Sequence, residues 1–191
     1  MDMIKNNIAN VLTIVRMLML PVMVGLFYLE TSLGALAVWL CFTLYVVAAV
    51  TDYLDGYLAR RLNQTSAFGT FLDPISDKIM VGCILVMLIA TDRIGVLGVV
   101  LALLIFTREF LVSGLREYLG PKDIKMPVMK IAKWKTTVQM VACGILILSG
   151  LVPYAYEGGM LVLVIATVLT VWTGAVYLQT GFSAMRTARA A

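Results

Sequence analysis

The chain has 191 residues, of which 61% are hydrophobic and 14% charged, and its formal net charge is +4. Soluble domains carry about 25% charged residues, so this composition excludes an ordinary soluble domain and indicates a polytopic helical membrane protein. The chain contains no histidine, which excludes imidazole catalysis and histidine-bound zinc. Anionic lipid headgroups account for the basic excess, so no nucleic-acid partner is expected.

The hydrophobic pattern predicts an all-α integral membrane protein with six transmembrane helices and a short interfacial segment over residues 1–9. A single membrane-embedded catalytic domain is expected over residues 1–191. The first apolar run is too long for the h-region of a signal peptide, so no cleavable signal is expected. The apolar cores of the six helices are residues 12–29, 33–50, 79–89, 94–111, 140–151 and 160–178.

Turn-forming residues separate these helices into two sets of loops. One set covers residues 30–32, 91–93 and 153–159, and the other covers residues 60–64 and 120–130. Helix two is expected to continue through Asp55 to Ala59, and helix three to begin near Gly69.

The distribution of basic residues predicts the orientation. Of the 15 lysines and arginines, 14 belong to the side of both termini, and only Arg93 belongs to the opposite side. We therefore expect a multi-pass protein of the bacterial inner (plasma) membrane, with its termini and its active site in the cytoplasm.

Four of the 11 acidic residues lie within 26 positions, at Asp52, Asp55, Asp73 and Asp77. Spacings of three and four residues share a helix face, so two carboxylate pairs on neighbouring helices are able to point at a common centre. Unpartnered carboxylates in a membrane cost about 2.5–3.5 kcal/mol each at its centre. A divalent cation offsets that cost, and carboxylate oxygens favour Mg²⁺ or Mn²⁺, with two pairs suited to two ions.

The aspartate pattern is also compatible with two roles that involve no catalysis. Arg60, Arg61 and Lys78 are placed to neutralise the carboxylates in a purely structural salt-bridge cluster. Intramembrane carboxylates also serve cation transporters, a different class of protein.

Small residues stand beside the aspartates at Gly56, Ala59 and Gly69. Such residues allow either close helix packing or close approach of a ligand. Next to a carboxylate cluster, the second interpretation predicts a slot for a nucleotide.

The complete pattern D-x2-D-G-x2-A-R-x8-G-x3-D-x3-D resembles the signature of the CDP-alcohol phosphotransferase family at every defined position. The resemblance implies a six-helix membrane fold, usually homodimeric, that transfers a phosphatidyl group from a CDP-linked lipid to an alcohol and releases CMP. It implies a role for each matching residue: Asp52, Asp55, Asp73 and Asp77 bind metal, Asp77 is also the general base, and Asp52, Gly56, Ala59, Arg60 and Gly69 bind the CDP group.

The acceptor is predicted from basic residues on helices four and five. Arg108 and Arg116 lie within about 80° of each other on an ideal helix, whereas Lys133 and Lys135 diverge by about 200°, so one of these lysines is expected to face the site. Cations near an anionic site predict that the acceptor carries a phosphate. The positive-inside rule alone also places cations here, and local pairs with Glu109 and Glu117 would weaken the substrate interpretation.

Residues 7–16, 108–117 and 133–140, together with Pro21, resemble the bacterial members of this family that use glycerol 3-phosphate. This resemblance implies CDP-diacylglycerol and sn-glycerol 3-phosphate as substrates and phosphatidylglycerophosphate as product. Inositol phosphate, phosphatidylglycerol and serine remain alternative acceptors. The chain departs from the pattern at Ala9, where proline is usual, and at Ala132, where glycine is expected. We expect Asn10, Thr13 and Arg16 to act at a helix start and an interface rather than on substrate.

Overall fold

The structure, a computed structural model, describes residues 2–61, 67–120 and 131–190. Side chains in these ranges are described apart from those of residues 2–11, 53–61, 67–71, 73–74, 131–133, 184 and 186–190. This part of the chain forms six α-helices and one turn of 3₁₀-helix, without any strand, which confirms the all-α prediction. The helices are α1 (Asp2–Leu33), α2 (Ala35–Arg61), α3 (Ala67–Ala90), α4 (Gly95–Leu119), α5 (Ile131–Ile147) and α6 (Ala155–Ala190), and the 3₁₀ turn is Leu148–Gly150.

Helices α2 and α3 extend past their apolar cores, as predicted. Helix α2 continues through Asp55 and Ala59 to Arg61. Helix α3 begins at Ala67, two residues before Gly69. Both aspartate pairs therefore belong to regular helix, so their spacings of three and four residues do place each pair on one helix face.

Three of the predicted loops overlap helices, and one of them, over residues 60–64, begins with the last two residues of α2. Residues 30–32 belong to α1, and the chain reverses at Gly34, whose φ is +56°. The Gly34 N–H donates to the Glu30 carbonyl oxygen at 2.8 Å, so the helix closes on a left-handed residue that glycine adopts without strain. Residues 155–159 likewise belong to α6, because polar residues and glycines in a first helical turn still form helical hydrogen bonds; the Gly158 N–H donates to the Tyr154 carbonyl oxygen at 2.9 Å.

The interfacial segment predicted over residues 1–9 is not separate in the described chain, because α1 runs continuously from Asp2. Helix propagation from the long apolar run is favourable, and no proline or glycine precedes Pro21 to interrupt it.

Four helices in the described chain are long and apolar enough to cross a membrane. Helix α5 has 17 residues, and the first half of α3 carries Asp73, Asp77 and Lys78, so neither meets the same standard of length and composition. The four candidate spans are Leu12–Leu33, Ala35–Asp52, Gly95–Leu119 and Ala155–Ser183. The chain is thus a helical protein with several candidate membrane spans.

All six helices contribute to one apolar core. Helix α1 packs against α2 and α3, while α6 packs against α4 and α5, and α5 also contacts α2 and α3. Met23, Ile84, Leu85, Leu146 and Leu163 are fully buried where these layers meet. Large apolar side chains remain exposed on the outer faces, as expected of a surface that contacts lipid: Leu18, Val96, Leu103, Val168 and Trp172.

One end of the bundle is fixed by Arg93, in the link between α3 and α4. Its guanidinium forms a salt bridge with Glu30 near the end of α1 and donates to the Ile147 carbonyl oxygen, at the end of α5, at 2.7 Å. The carboxyl ends of α1, α3 and α5 therefore meet here. Because the helices alternate in direction, the aspartates and the basic residues of α4 and α5 occupy the opposite end.

Candidate active site

Of the four aspartates of the motif, the two whose side chains are described lie on two helices that both pack against α1. Asp52 lies on α2 and Asp77 on α3, and both side chains are partly exposed. Asp55 on α2 and Asp73 on α3 have helical backbone, but their side chains lie outside the described residues. The structure therefore supports the placement of the two pairs on helices and leaves their ligand roles as predictions.

A buried arginine links these two helices. Arg16 on α1 is 2% exposed, and its guanidinium forms a salt bridge through Nη1 with Asp52 Oδ1. The same Nη1 donates to Ser76 Oγ on α3 at 3.4 Å. Ser76 directly precedes Asp77, so a single cation on α1 lies between the two aspartate-bearing segments.

For the residues predicted to bind the CDP group at Gly56, Ala59, Arg60 and Gly69, the structure describes the backbone, which is helical, but not the side chains. Gly56, Ala59 and Arg60 lie in α2 and Gly69 in α3, in the halves of these helices that carry the aspartates. Their side chains, like that of Lys133 on α5, are outside the described residues, so their contacts stay predictions.

A second charged group is centred on Glu109 of α4. Its Oε1 accepts a hydrogen bond from Arg108 Nη1 at 2.9 Å and also forms a salt bridge with Lys135 Nζ on α5. Arg108 and Lys135 are buried, and Glu109 is 15% exposed in the side chain. We call Arg108, Arg116 and Lys135 the basic cluster. Of the two diverging lysines on α5, Lys135 is the one whose side chain is described, and it contacts the charged group of α4.

Helix α6 holds Arg108 from the other side. Arg108 Nε donates to the Thr170 carbonyl oxygen at 3.1 Å, and Nη2 donates to Thr173 Oγ1 at 3.2 Å. Gln139 on α5 donates to Thr170 Oγ1 at 2.7 Å, which joins α5 to the same turn of α6. Each nitrogen of the Arg108 guanidinium therefore has a protein acceptor.

The second arginine of α4 is arranged differently. Arg116 is exposed, and its Cζ lies 5.1 Å from the centre of the Tyr177 ring on α6. Arg108 Cζ lies 5.9 Å from the same ring. The two guanidiniums share one aromatic neighbour, consistent with the prediction that they lie on nearby faces of α4.

A hydrogen bond connects α3 to α4, the helix that carries Arg108 and Arg116 of the basic cluster. Lys78, which directly follows Asp77 on α3, donates through Nζ to Ser113 Oγ on α4. Ser113 lies between Arg108 and Arg116 in the chain. The acidic and basic groups therefore lie next to each other at one end of the bundle.

Some parts of this arrangement were not predicted from the sequence. Arg16 was expected to act at a helix start and an interface. Arg60, Arg61 and Lys78 were the cations considered for a structural salt-bridge cluster with the aspartates; of these, only Lys78 has a described side chain, and its hydrogen bond goes to Ser113. Burial cost was the available signal for Arg16, because a cation inside an apolar helix requires an anionic partner. Thr170, Thr173 and Tyr177 were also missed, although polar residues repeating every three or four positions in an apolar helix mark one face.

Comparison with known proteins agrees with this geometry. A family model described as CDP-alcohol phosphatidyltransferase matches residues 6–172. The chain belongs to the CDP-alcohol phosphatidyltransferase family. The matched range includes both aspartate pairs and every residue of the basic cluster.

Curated relatives of this CDP-alcohol phosphatidyltransferase share most of its length. It is 44% identical over 184 residues to the CDP-diacylglycerol–glycerol-3-phosphate 3-phosphatidyltransferase of Rickettsia prowazekii (strain Madrid E), covering 92% of this chain and 96% of that protein. It is 39% identical over 182 residues to the protein of the same name from Haemophilus influenzae, covering 92% and 93%. It is 38% identical over 189 residues to the one from Pseudomonas fluorescens, covering 95% and 93%.

The donor atoms of this CDP-alcohol phosphatidyltransferase fit a hard divalent cation. The carboxylates with described side chains on α2 and α3 are Asp52 and Asp77, and carboxylate oxygens suit Mg²⁺ or Mn²⁺. Cys41 and Cys143 are buried in the apolar core, where their sulfur atoms serve as packing groups. The chemistry of the site therefore favours cations that bind oxygen.

Proposed function

We propose that this protein transfers the phosphatidyl group of CDP-diacylglycerol to sn-glycerol 3-phosphate, forming phosphatidylglycerophosphate and CMP. The observation that carries the proposal is that Lys78, next to Asp77 on α3, donates a hydrogen bond to Ser113 on α4, which lies between Arg108 and Arg116 in the chain. A lipid diphosphate and a phosphorylated alcohol must meet at one place, and this end of the bundle offers carboxylates for metal beside cations for phosphate. The names of the curated relatives describe the same reaction.

The acceptor phosphate is assigned to the basic cluster. Arg116 is exposed and so is available to an incoming anion. Behind it, Arg108 and Lys135 share the one negative charge of Glu109, so this group adds a net charge of only about one, which weakens its part in the assignment. An arginine fork and an ammonium group stabilise a phosphate through charge-assisted hydrogen bonds. Lys133 belongs to the same predicted site by its position on α5. An acceptor without a phosphate, such as serine or inositol, would gain less from these cations than glycerol 3-phosphate or inositol phosphate.

The chemical step is an in-line displacement at the phosphorus that carries diacylglycerol. The glycerol hydroxyl oxygen forms the new bond to phosphorus while the bond to the bridging oxygen of CMP breaks. Asp77 takes the hydroxyl proton, which a carboxylate within hydrogen-bond reach of the acceptor is able to do. Positioning of the two substrates accounts for much of the rate, as in other phosphoryl transfers.

The donor is held by α2 and α3. Asp52, Asp55, Asp73 and Asp77 would hold two divalent cations, Mg²⁺ or Mn²⁺, which supply charge neutralisation for the diphosphate when bound. Asp52, Gly56, Ala59, Arg60 and Gly69 form the proposed CDP site. Arg16 keeps Asp52 in place through its buried salt bridge.

All six helices are proposed to cross the membrane. The 24 residues of α3 span about 36 Å, and the 20 residues from Ile131 to Gly150 span about 30 Å, close to the hydrocarbon thickness. Both segments pack against several other helices. The positive-inside rule then places the aspartate end and both termini in the cytoplasm. We also propose that the protein is a homodimer located in the bacterial inner membrane.

An acceptor panel tests the proposed reaction. Purified protein is supplied with labelled CDP-diacylglycerol, Mg²⁺ or Mn²⁺, and one acceptor at a time: glycerol 3-phosphate, inositol phosphate, serine or phosphatidylglycerol. We expect labelled phosphatidylglycerophosphate with glycerol 3-phosphate and little product with the others. Turnover of inositol phosphate without turnover of glycerol 3-phosphate would overturn the proposed acceptor, and cation flux without CMP release would overturn the reaction.

A further inference from the structure

Tyr177 of α6 is the aromatic side chain on which the two arginines of α4 converge. It is 2% exposed, so its ring is fixed by packing against its neighbours. The Cζ atoms of Arg108 and Arg116 lie 5.9 Å and 5.1 Å from the ring centre. Both distances are within the range in which an aromatic ring attracts a guanidinium.

The backbone of α6 is shaped to bring the ring and the arginines together. A Cβ at Gly174, one turn before Tyr177, would lie 2.5 Å from Arg108 Cγ, and a Cβ at Gly181, one turn after it, would lie 2.6 Å from a methyl carbon of Leu115. At Gly174 the added Cβ would meet the stem of Arg108, so glycine is needed there for this approach of α4, whereas at Gly181 the leucine methyl group is able to move aside. The pattern Gly174-x2-Tyr177-x3-Gly181 thus forms a seat for α4 with an aromatic centre.

The two arginines depend on this seat to different degrees. Arg108 also has hydrogen bonds to Glu109, Thr170 and Thr173. Arg116 is exposed, and its ring contact is the described interaction that ties its guanidinium to α6. An exposed arginine without such a neighbour loses more side-chain entropy when it binds an anion, because it must be ordered at that moment.

We propose, on the basis of the function proposed above, that Tyr177 is a positioning residue that orders Arg116 and Arg108 for the phosphate of the acceptor. It acts through the arginines and does not itself contact substrate. Helix α6 is then the third wall of the acceptor site, beside α4 and α5. The role requires the ring, because the attraction of a guanidinium arises from the ring face rather than from the hydroxyl group.

A matched pair of variants tests the role of the ring. Tyr177→Phe keeps the ring, and Tyr177→Leu removes it while keeping an apolar side chain. KM for glycerol 3-phosphate and KM for CDP-diacylglycerol are measured separately on purified protein. We expect Tyr177→Leu to raise KM for glycerol 3-phosphate about fivefold, the upper range for a cation–π contact of an exposed arginine, and to leave KM for CDP-diacylglycerol within about twofold. Tyr177→Phe is expected to stay within about twofold of the parent in both constants.

Coupling to Arg116 separates positioning from general packing. If Tyr177 acts through Arg116, the double variant Arg116→Met/Tyr177→Leu has nearly the same KM for glycerol 3-phosphate as Arg116→Met alone. Independent effects that multiply would overturn the proposal. So would equal losses in Tyr177→Phe and Tyr177→Leu, or equal increases in both KM values.

A second pair decides the matter if Tyr177→Leu fails to fold. Gly174→Ala places a Cβ against Arg108 and displaces the arginine from the seat, whereas Gly158→Ala adds a Cβ on the same helix with no heavy atom within 4 Å. We expect a rise in KM for glycerol 3-phosphate with Gly174→Ala and none with Gly158→Ala; equal behaviour of the two would overturn the proposal. Parent protein that does not turn over glycerol 3-phosphate would instead refute the proposed function, so the two failures are distinguishable.

Discussion

Arg16 on α1 forms a salt bridge with Asp52 on α2 inside the bundle. The arginine side chain is 2% exposed and the aspartate 23%. A buried cation with a carboxylate partner holds both in place, and the loss of either leaves an uncompensated charge. The contact of Arg16 with Ser76 extends this restraint to α3, beside Asp77. Helix α1 therefore supports the aspartates although it carries none of the signature residues.

Replacing Arg16 by methionine is expected to lower both stability and turnover. Removing one partner of a buried ion pair costs about 3–5 kcal/mol, so the unfolding temperature in detergent should fall. Because Asp52 and the segment of Asp77 lose a common restraint, CMP release per folded molecule should also fall at least about tenfold. Differential scanning fluorimetry and a CMP-release assay measure the two effects.

Arg93→Met is the matched control for this variant. Arg93 also forms a salt bridge, with Glu30, but at the opposite end of the bundle. The Arg93→Met variant should have a lower unfolding temperature, while its CMP release per folded molecule stays near that of the parent. An equal loss of turnover in both variants would show that Arg16 has no special link to the aspartates.

Glu109 is expected to matter for its charge, because it lies between two buried cations. Glu109→Gln removes the anion that neutralises Arg108 and Lys135, and a hydrogen bond to a charged group contributes about 1.5–3 kcal/mol. The unfolding temperature should therefore fall by several degrees. Glu117→Gln, at an exposed position on the same helix, should change the free energy of unfolding by less than about 0.5 kcal/mol. Indistinguishable melting curves for the two variants would contradict the assigned role of Glu109.

Replacing either arginine of α4 should weaken acceptor binding, but only the loss of Arg108 should also destabilise the fold. Arg116 is exposed, so Arg116→Met should raise KM for glycerol 3-phosphate with little change in unfolding temperature. Arg108 is 8% exposed and donates to three acceptors, so Arg108→Met should raise the same KM and also destabilise the fold. Neither variant should change KM for CDP-diacylglycerol by more than about twofold, since the donor site lies on α2 and α3. Equal effects on both substrates would argue against an acceptor-phosphate site.

The helices and their charged ends were predictable from sequence for a simple reason. Long apolar runs leave no alternative to helix in a membrane, and the spacing of Asp52 with Asp55 and of Asp73 with Asp77 already fits helical faces. The reversal at Gly34 was placed two residues too early, because Thr31 and Ser32 have the composition of a turn while their backbone continues the helix. Local composition was therefore enough to predict the helices but not the residues at which they end.

Contacts between helices were much less predictable. The partners of Arg108 on α6 lie 62 and 65 residues away in the chain, and Asp52 lies 36 residues from Arg16. A helix that is apolar on all sides gives no pattern from which its rotation against a neighbour follows. The spacing of Arg108 and Arg116 indicated a shared face, but only the packing of α4 on α6 identified Tyr177 as their common neighbour.

Removal of divalent cations should abolish the reaction without unfolding the protein. After treatment with EDTA, CMP release is expected to fall at least about 100-fold, since metal ions contribute several kcal/mol to charge stabilisation in such displacements. Added Mg²⁺ or Mn²⁺ should restore it. The unfolding temperature, measured in parallel, is expected to fall because the carboxylates lose their cations, but the protein should stay folded at the assay temperature since Arg16 still neutralises Asp52. Full turnover after exhaustive chelation would refute a metal-dependent mechanism.

Asp77→Asn should separate chemistry from donor binding. The amide is nearly isosteric with the carboxylate but is unable to accept the acceptor proton, so turnover should fall by about 10²–10⁴-fold. CDP-diacylglycerol should still raise the unfolding temperature of the variant, because the remaining proposed contacts to the donor are intact. Asp92→Asn is the control: Asp92 is exposed in the α3–α4 link and has φ +54°, a conformation that asparagine also tolerates. A near-normal rate for Asp77→Asn would remove Asp77 as the base, and a loss of donor binding together with turnover would assign it to the donor site instead.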